Sequence, residues 1–135
     1  MTQHAKGTFD VKLTPQKPDN SEAQSANLAR MSIDKRFHGD LDASSTGEML
    51  SALTETKGSA GYVAIERVHG TLGGRQGTFI LQHNGIMNRG TPQLAVTVVP
   101  DSATGELTGL SGSMTIQIEA AQHFYELTYA LPMNP

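Results

Sequence analysis

Apolar and polar residues alternate from Gly7 to Leu13, where Phe9, Val11 and Leu13 are set against Thr8, Asp10 and Lys12. A period of two puts the apolar set on one face of an extended chain, the mark of a half-buried β-strand. Short runs rich in Val, Ile, Thr, Phe and Tyr recur down the chain between turn residues, and they predict about eight strands. The loop Thr14–Ser21, with two prolines and an Asp-Asn pair, follows the first. The second strand spans Ala26–Phe37, with Ala29, Met31, Ile33 and Phe37 on one face, although Glu22–Met31 also suits a short helix. Gly39 and Asp40–Ser45 form the next turn. The third strand covers Thr46–Thr54, and Lys57-Gly58 turns it into the fourth, Ser59–Leu72. Gly73-Gly74-Arg75 leads to the fifth, Gly77–Met87, which Arg89-Gly90-Thr91-Pro92 breaks. The sixth, Gln93–Val99, holds a continuous apolar run and stops at Pro100-Asp101, because proline has no amide hydrogen for a ladder. The seventh covers Gly105–Ile118. The eighth, His123–Leu131, places His123, Tyr125, Leu127, Tyr129 and Leu131 on one face.

A meander of this kind leaves two sheet edges, and exposed edges invite aggregation. Closing the sheet removes both, so the expected fold is all-β, a single closed antiparallel eight-stranded barrel spanning residues 1–135. A barrel of eight strands is wide enough to fill with side chains or to hold one small ligand.

Ten Lys and Arg against 13 Asp and Glu give a formal net charge of −3, with the cations scattered. Nucleic acid is therefore not an expected partner, since binding its phosphates requires a clustered basic face. The absence of cysteine excludes disulfides and thiolate chemistry. No apolar stretch approaches the length of a membrane-spanning helix, and Met1–Lys6 lacks the apolar run of a signal peptide. A cytoplasmic protein without a membrane partner is the expectation.

The fourth and fifth strands carry the candidate chemistry. A two-residue loop at Gly73-Gly74 or Gly74-Arg75 puts Tyr62, Ala64, Glu66 and Val68 on the same face as Phe79, Leu81 and His83. In the second register Glu66 faces His83. In the first it faces Leu81, with His83 diagonally across. A carboxylate and an imidazole on an apolar face need each other, because burying either alone is costly. The pair reads as polar anchors for a ligand, as an acid–base pair, or as a structural hydrogen bond. Glu48 joins the candidate ligand-binding set of Glu66, His83 and Tyr62 if it faces the same way. Glu66-Arg67-Val68-His69 has a metal-ligand spacing only on a helix, since in a strand residues three apart point to opposite faces. No metal site, cofactor or catalytic residue is expected from the remaining motifs.

Three stretches resemble a small bacterial family known as domain of unknown function 3224. They are Phe37–Leu41 (FHGDL), the block Gly61–Arg75 continuing through Gly77–Gly85, and Val98–Ser102 followed by Thr104–Gly112. The resemblance spans nearly the whole chain and implies a barrel similar to that of allene oxide cyclase, in the wider calycin-like group. The spacing Thr104-Gly105-x-Leu107-x-Gly109-x-x-Gly112 also resembles the glycine signature of allene oxide cyclases and dirigent proteins. Ala103 stands where that signature has its first glycine, and Leu107 where it has phenylalanine. Such glycines let a strand bend at a barrel corner, so the resemblance implies a fold and no activity.

Three functions follow as expectations. The first is a barrel that holds a small apolar or amphipathic molecule. The second is an isomerase or lyase working in the same cavity. The third is a homo-oligomeric interaction protein, suggested by apolar residues on both faces of the sixth strand.

Overall fold

The computed structural model describes residues 2–17, 20, 22–23 and 26–132. Its strands are β1 (Gln3–Gln16), β2 (Leu28–Gly39), β3 (Leu41–Leu53), β4 (Ala60–Leu72) and β5 (Arg75–Asn88). They continue with β6 (Thr91–Val98), β7 (Thr104–Gly105), β8 (Ser111–Glu119) and β9 (Gln122–Ala130). The alternation in the sequence becomes an inside and an outside: Phe9, Ile33, Phe37, Val68, Phe79, Leu81 and Leu127 are buried, and their chain neighbours are half-buried or exposed. Every pairing is antiparallel. The meander β1 to β6 returns through β8 and β9 to β1, closing an eight-stranded barrel. β7 stands outside the ring, paired to the start of β5 through Gly77↔Gly105 and Thr78↔Thr104. Among the described residues there is no helix, and so none long and apolar enough to cross a membrane.

Four sequence expectations shift. The polar run Asp40–Ser45 is mostly strand: the chain reverses at Gly39 and Asp40, and Leu41, Ala43 and Ser45 point inward. The small Ala43 and Ser45 side chains disguise the alternation, yet Ala43 fits because it lies opposite bulky Phe37. The expected strand Gly105–Ile118 splits into β7, a turn and β8, since Leu107 and Leu110 are buried at a spacing of three and Gly109 has φ +87°. The short helix weighed over Glu22–Met31 is absent from the described part, where turn residues lead into β2 at Leu28; residues 24 and 25 lie outside the described residues. Residues 14–16 of the expected loop Thr14–Ser21 extend β1, and residues 18, 19 and 21 lie outside the described residues.

One end of the barrel is sealed. Phe9 and Phe37 meet with ring centroids 5.5 Å apart, and Tyr125 stands edge-on to Phe37 at the same distance. The Tyr125 hydroxyl accepts the Leu41 amide hydrogen at 2.9 Å and donates to the His38 carbonyl at 2.9 Å, tying the β2–β3 reversal to β9. Ala103, Leu107 and Leu110 from the β6–β8 connection fold over this end as a plug.

The other end is open. There the inward-facing Leu13, Met31, Met49, Tyr62, Met87, Leu94 and Ile118 are half-buried or exposed. The wall itself is incomplete beside it, because β6 and β8 pair only at Val96↔Met114 and Thr97↔Ser113. Continuing that register would set Leu94 against Ile116 and Pro92 against Ile118, and neither pair forms. Pro92 has no amide hydrogen to offer, so it fits a strand whose far side is unpaired. In hydrogen exchange, amides of Thr91–Ala95 that point away from β5, and of Thr115–Glu119 that point away from β9, should exchange orders of magnitude faster than those of the β4–β5 ladder. Equal protection would mean that the seam is closed in solution.

Candidate functional site

The β4–β5 hairpin sets the geometry. Leu72 pairs with Arg75, so the loop is Gly73-Gly74, with φ +57° and +84°; both values suit the primed turns that glycine allows. This register puts Glu66 opposite Leu81 and His83 opposite Ala64, one step along the same inner face. The small Ala64 side chain leaves room for the diagonal contact, and His83 Nε2 lies 2.6 Å from Glu66 Oε2. Farther toward the open end, Tyr62 lies across Gly85, where a Cβ would come within 2.2 Å of its ring. Its hydroxyl is 3.3 Å from His83 Nδ1.

Two residues that sequence reasoning missed complete the cluster. Lys35 Nζ donates to Glu66 Oε2 at 2.7 Å, and Ser45 Oγ donates to Glu66 Oε1 at 2.7 Å. Lys35 and Ser45 are themselves paired across β2 and β3. The signal for Lys35 was present: it sits in the inward file Met31, Ile33, Lys35, Phe37, a cation where every neighbour is apolar. Ser45 was hidden inside the run read as a turn. The Lys35 ammonium also lies 4.7 Å from the Phe9 ring centroid and 5.7 Å from that of Phe37, so aromatic faces supply part of the solvation it loses.

Glu48 is not part of the cluster. It lies on the outward file of β3, exposed, and ion-pairs with Arg30 at 2.9 Å, because one residue's shift in a strand reverses its face. His69 also faces outward, as a strand requires. No group of three or more His, Asp or Glu among the described residues is placed to hold a metal ion.

Glu66 has no exposure to solvent. Burial alone would push its carboxyl pKa up, but the His83 hydrogen bond and the charge and hydrogen bond of Lys35 overcome this and hold it at about 2, against an ordinary 4.5. The carboxylate is therefore ionised and can only accept, which places a hydrogen on His83 Nε2. In neutral His83 the Nδ1 lone pair then accepts the Tyr62 hydroxyl hydrogen. Burial, and secondarily the Glu66 charge, raise the Tyr62 pKa, so Tyr62 is a phenol. The result is a relay from the open end inward, Tyr62 to His83 to Glu66, with Glu66 neutralised by Lys35. No buried side-chain polar atom among the described residues lacks a partner.

An apolar groove of about 600 Å³ lies along β2–β5 towards the open end, lined by Leu28, Leu50, Val63 and Ile86 of the outward files and also by Ala29, Ser51, Tyr62 and Gly85 of the inward files.

These features define a class: a closed antiparallel eight-stranded β-barrel with a neutralised, fully hydrogen-bonded polar cluster inside. The chain belongs to the DUF3224 family, proteins of unknown function, whose family model matches residues 5–129. It is similar to a solved protein of unknown function from this family in Shewanella oneidensis MR-1. The two share 54% sequence identity with a TM-score of 0.93, over 99% of this chain and 100% of the other. No curated protein matches the chain.

Two outcomes test the cluster. A carboxyl held at about 2 when folded and 4.5 when unfolded contributes about 3 kcal/mol of stability, fully present above pH 4.5 and lost as pH falls from there towards 2. Glu66→Gln should flatten the pH dependence of denaturant unfolding in this window and cost roughly 3–5 kcal/mol at neutral pH by orphaning Lys35. Nitrogen-15 NMR of neutral His83 should find the proton on Nε2; a proton on Nδ1 would reverse the Tyr62 hydrogen bond.

Proposed function

We propose that this protein binds a small, largely apolar molecule in the open end of its barrel. The carrying observation is the change along the barrel axis: inward-facing side chains pass from fully buried at the sealed end to half-buried or exposed at the other. The rim is apolar and rich in methionine, and Met31 and Met49 pair directly. Unbranched, polarisable thioethers adapt to irregular apolar shapes. Below the rim, Tyr62 presents one oriented hydroxyl against this apolar wall, the combination typical of small-molecule sites. The ligand's polar contact on this reading is Tyr62, with His83 and Glu66 acting through it. Comparing native and denaturing mass spectra of the protein purified from its own source tests this. An added mass present only in the native spectrum is expected, and Met49→Lys should abolish it. Persistence of the same mass in Met49→Lys would move the ligand elsewhere.

A second reading, self-association, draws on the outer apolar surface of β3–β5, where Leu50, Val63, Ile65 and Ile86 are about half exposed on neighbouring strands. A contiguous apolar patch of this kind suits a second copy of the chain. The native charge series reads the oligomeric state in the same experiment, and a strict monomer would remove this reading.

A further inference from the structure

The inward-facing charges are unlike those of the molecule as a whole. The chain carries a net charge of −3, and the strand acids Asp10, Asp34, Asp42, Glu48, Glu119 and Glu126 all lie on outward files. Inward, between the sealed end and the rim, Glu66 is the one carboxylate among the described residues, set against Lys35, His83 and His123. Glu66 is already neutralised by Lys35 at 2.7 Å. The interior therefore has no free anion to receive a cationic ligand. His123, the first inward-facing residue of β9, is half-buried, its ring centroid 4.9 Å from that of Phe9, with which it pairs.

From this asymmetry and the relay geometry we infer that the ligand is a monoanionic amphiphile, a carboxylate on an apolar body, whose head accepts a hydrogen bond from Tyr62 as His83 takes up a proton. The inference rests on the open end being the binding site. With His83 neutral, Nδ1 consumes the Tyr62 hydrogen, and the phenol offers the ligand only lone pairs, which repel an anion. A proton added at Nδ1 reverses that hydrogen bond. Nδ1–H then donates to the Tyr62 oxygen, and the hydroxyl hydrogen is free to point at the ligand. The titratable groups facing His83 are Glu66 and Tyr62 from β4, with Lys35 from β2 beyond Glu66, while β6 contributes only Val96. Ionised Glu66 stabilises the imidazolium from one side and the ligand carboxylate from the other. Anion binding and proton uptake consequently promote one another, as linkage requires.

Calorimetric titration with decanoate, decanol and decylammonium, each below its micellar concentration, tests the inference. Running the decanoate titration in two buffers of different ionisation enthalpy counts the protons taken up. The expected result is decanoate tightest and decylammonium weakest, with uptake of up to about one proton per decanoate. Tyr62→Phe should weaken decanoate by about tenfold or more, bringing its affinity towards that of decanol, as expected for loss of a hydrogen bond to a charged group. Equal affinities for decanoate and decanol with no proton uptake would overturn the inference and leave the apolar site standing. A decanoate preference unaffected by Tyr62→Phe would overturn it too, by placing the head elsewhere. Failure of all three compounds to bind would count against the open-end site itself. Because proton uptake is read on the unaltered protein, the test does not depend on the variant folding.

Discussion

A carboxylate without solvent contact is among the most demanding groups a barrel can hold, and Glu66 is such a group. Desolvation opposes its charge by several kcal/mol, and only donors at short range reverse that balance. Three elements supply them: Lys35 from β2, Ser45 from β3 and His83 from β5, each within 2.7 Å. The constraint reaches into the backbone. The Gly73-Gly74 loop fixes the β4–β5 register, and any odd shift would carry Glu66 or His83 to the outside. The small residues Ala64 and Gly85 then hold the space in which His83 and Tyr62 reach each other.

This cluster also divides the barrel. On one side lies a close-packed apolar core of Phe37, Phe79, Leu81, Leu127 and the Leu107 plug. On the other, inward side chains meet water, and the wall between β6 and β8 is only partly zipped. A neutral, fully satisfied polar layer between them suits both environments: it presents no unpaired charge to the core, and it holds one phenol at the boundary with water. Orientation rather than reactivity is what the relay supplies directly, since the Glu66 charge fixes the His83 tautomer and the tautomer fixes the Tyr62 hydroxyl. The ligand class we propose rests on the charge left over once Lys35 and Glu66 cancel.

Much of this was legible from residue patterns. Alternation in Gly7–Leu13 and His123–Leu131 located strands and inward faces, and a two-residue loop at the glycines left two β4–β5 registers, both with Glu66 and His83 on one face. A three-residue loop would have separated them, and the structure decided for two residues. What escaped were places where local pattern is weak. Ser45 lies among small polar residues whose inward set carries little hydrophobic signal. Leu107 and Leu110 seal an end from a turn that has no strand period. Glu48 was ambiguous because its own strand alternates poorly, and the ladder with β2 places it outside.

Where alternation is clear, as in β1 and β9, a strand's inner and outer face was determined by the sequence itself, because a period of two is a property of a single extended segment and needs no neighbour. Strand existence, the hairpin that pairs Glu66 with His83, and the exclusion of cysteine and helix-spaced metal chemistry all belong to that local level. Tertiary structure alone decided that β1 closes onto β9, that Lys35 and Ser45 reach Glu66, and that one end is sealed while the other opens. Those outcomes depend on strand order and on register across partners far apart in the chain, where long-range packing selects among arrangements that local pattern leaves equivalent.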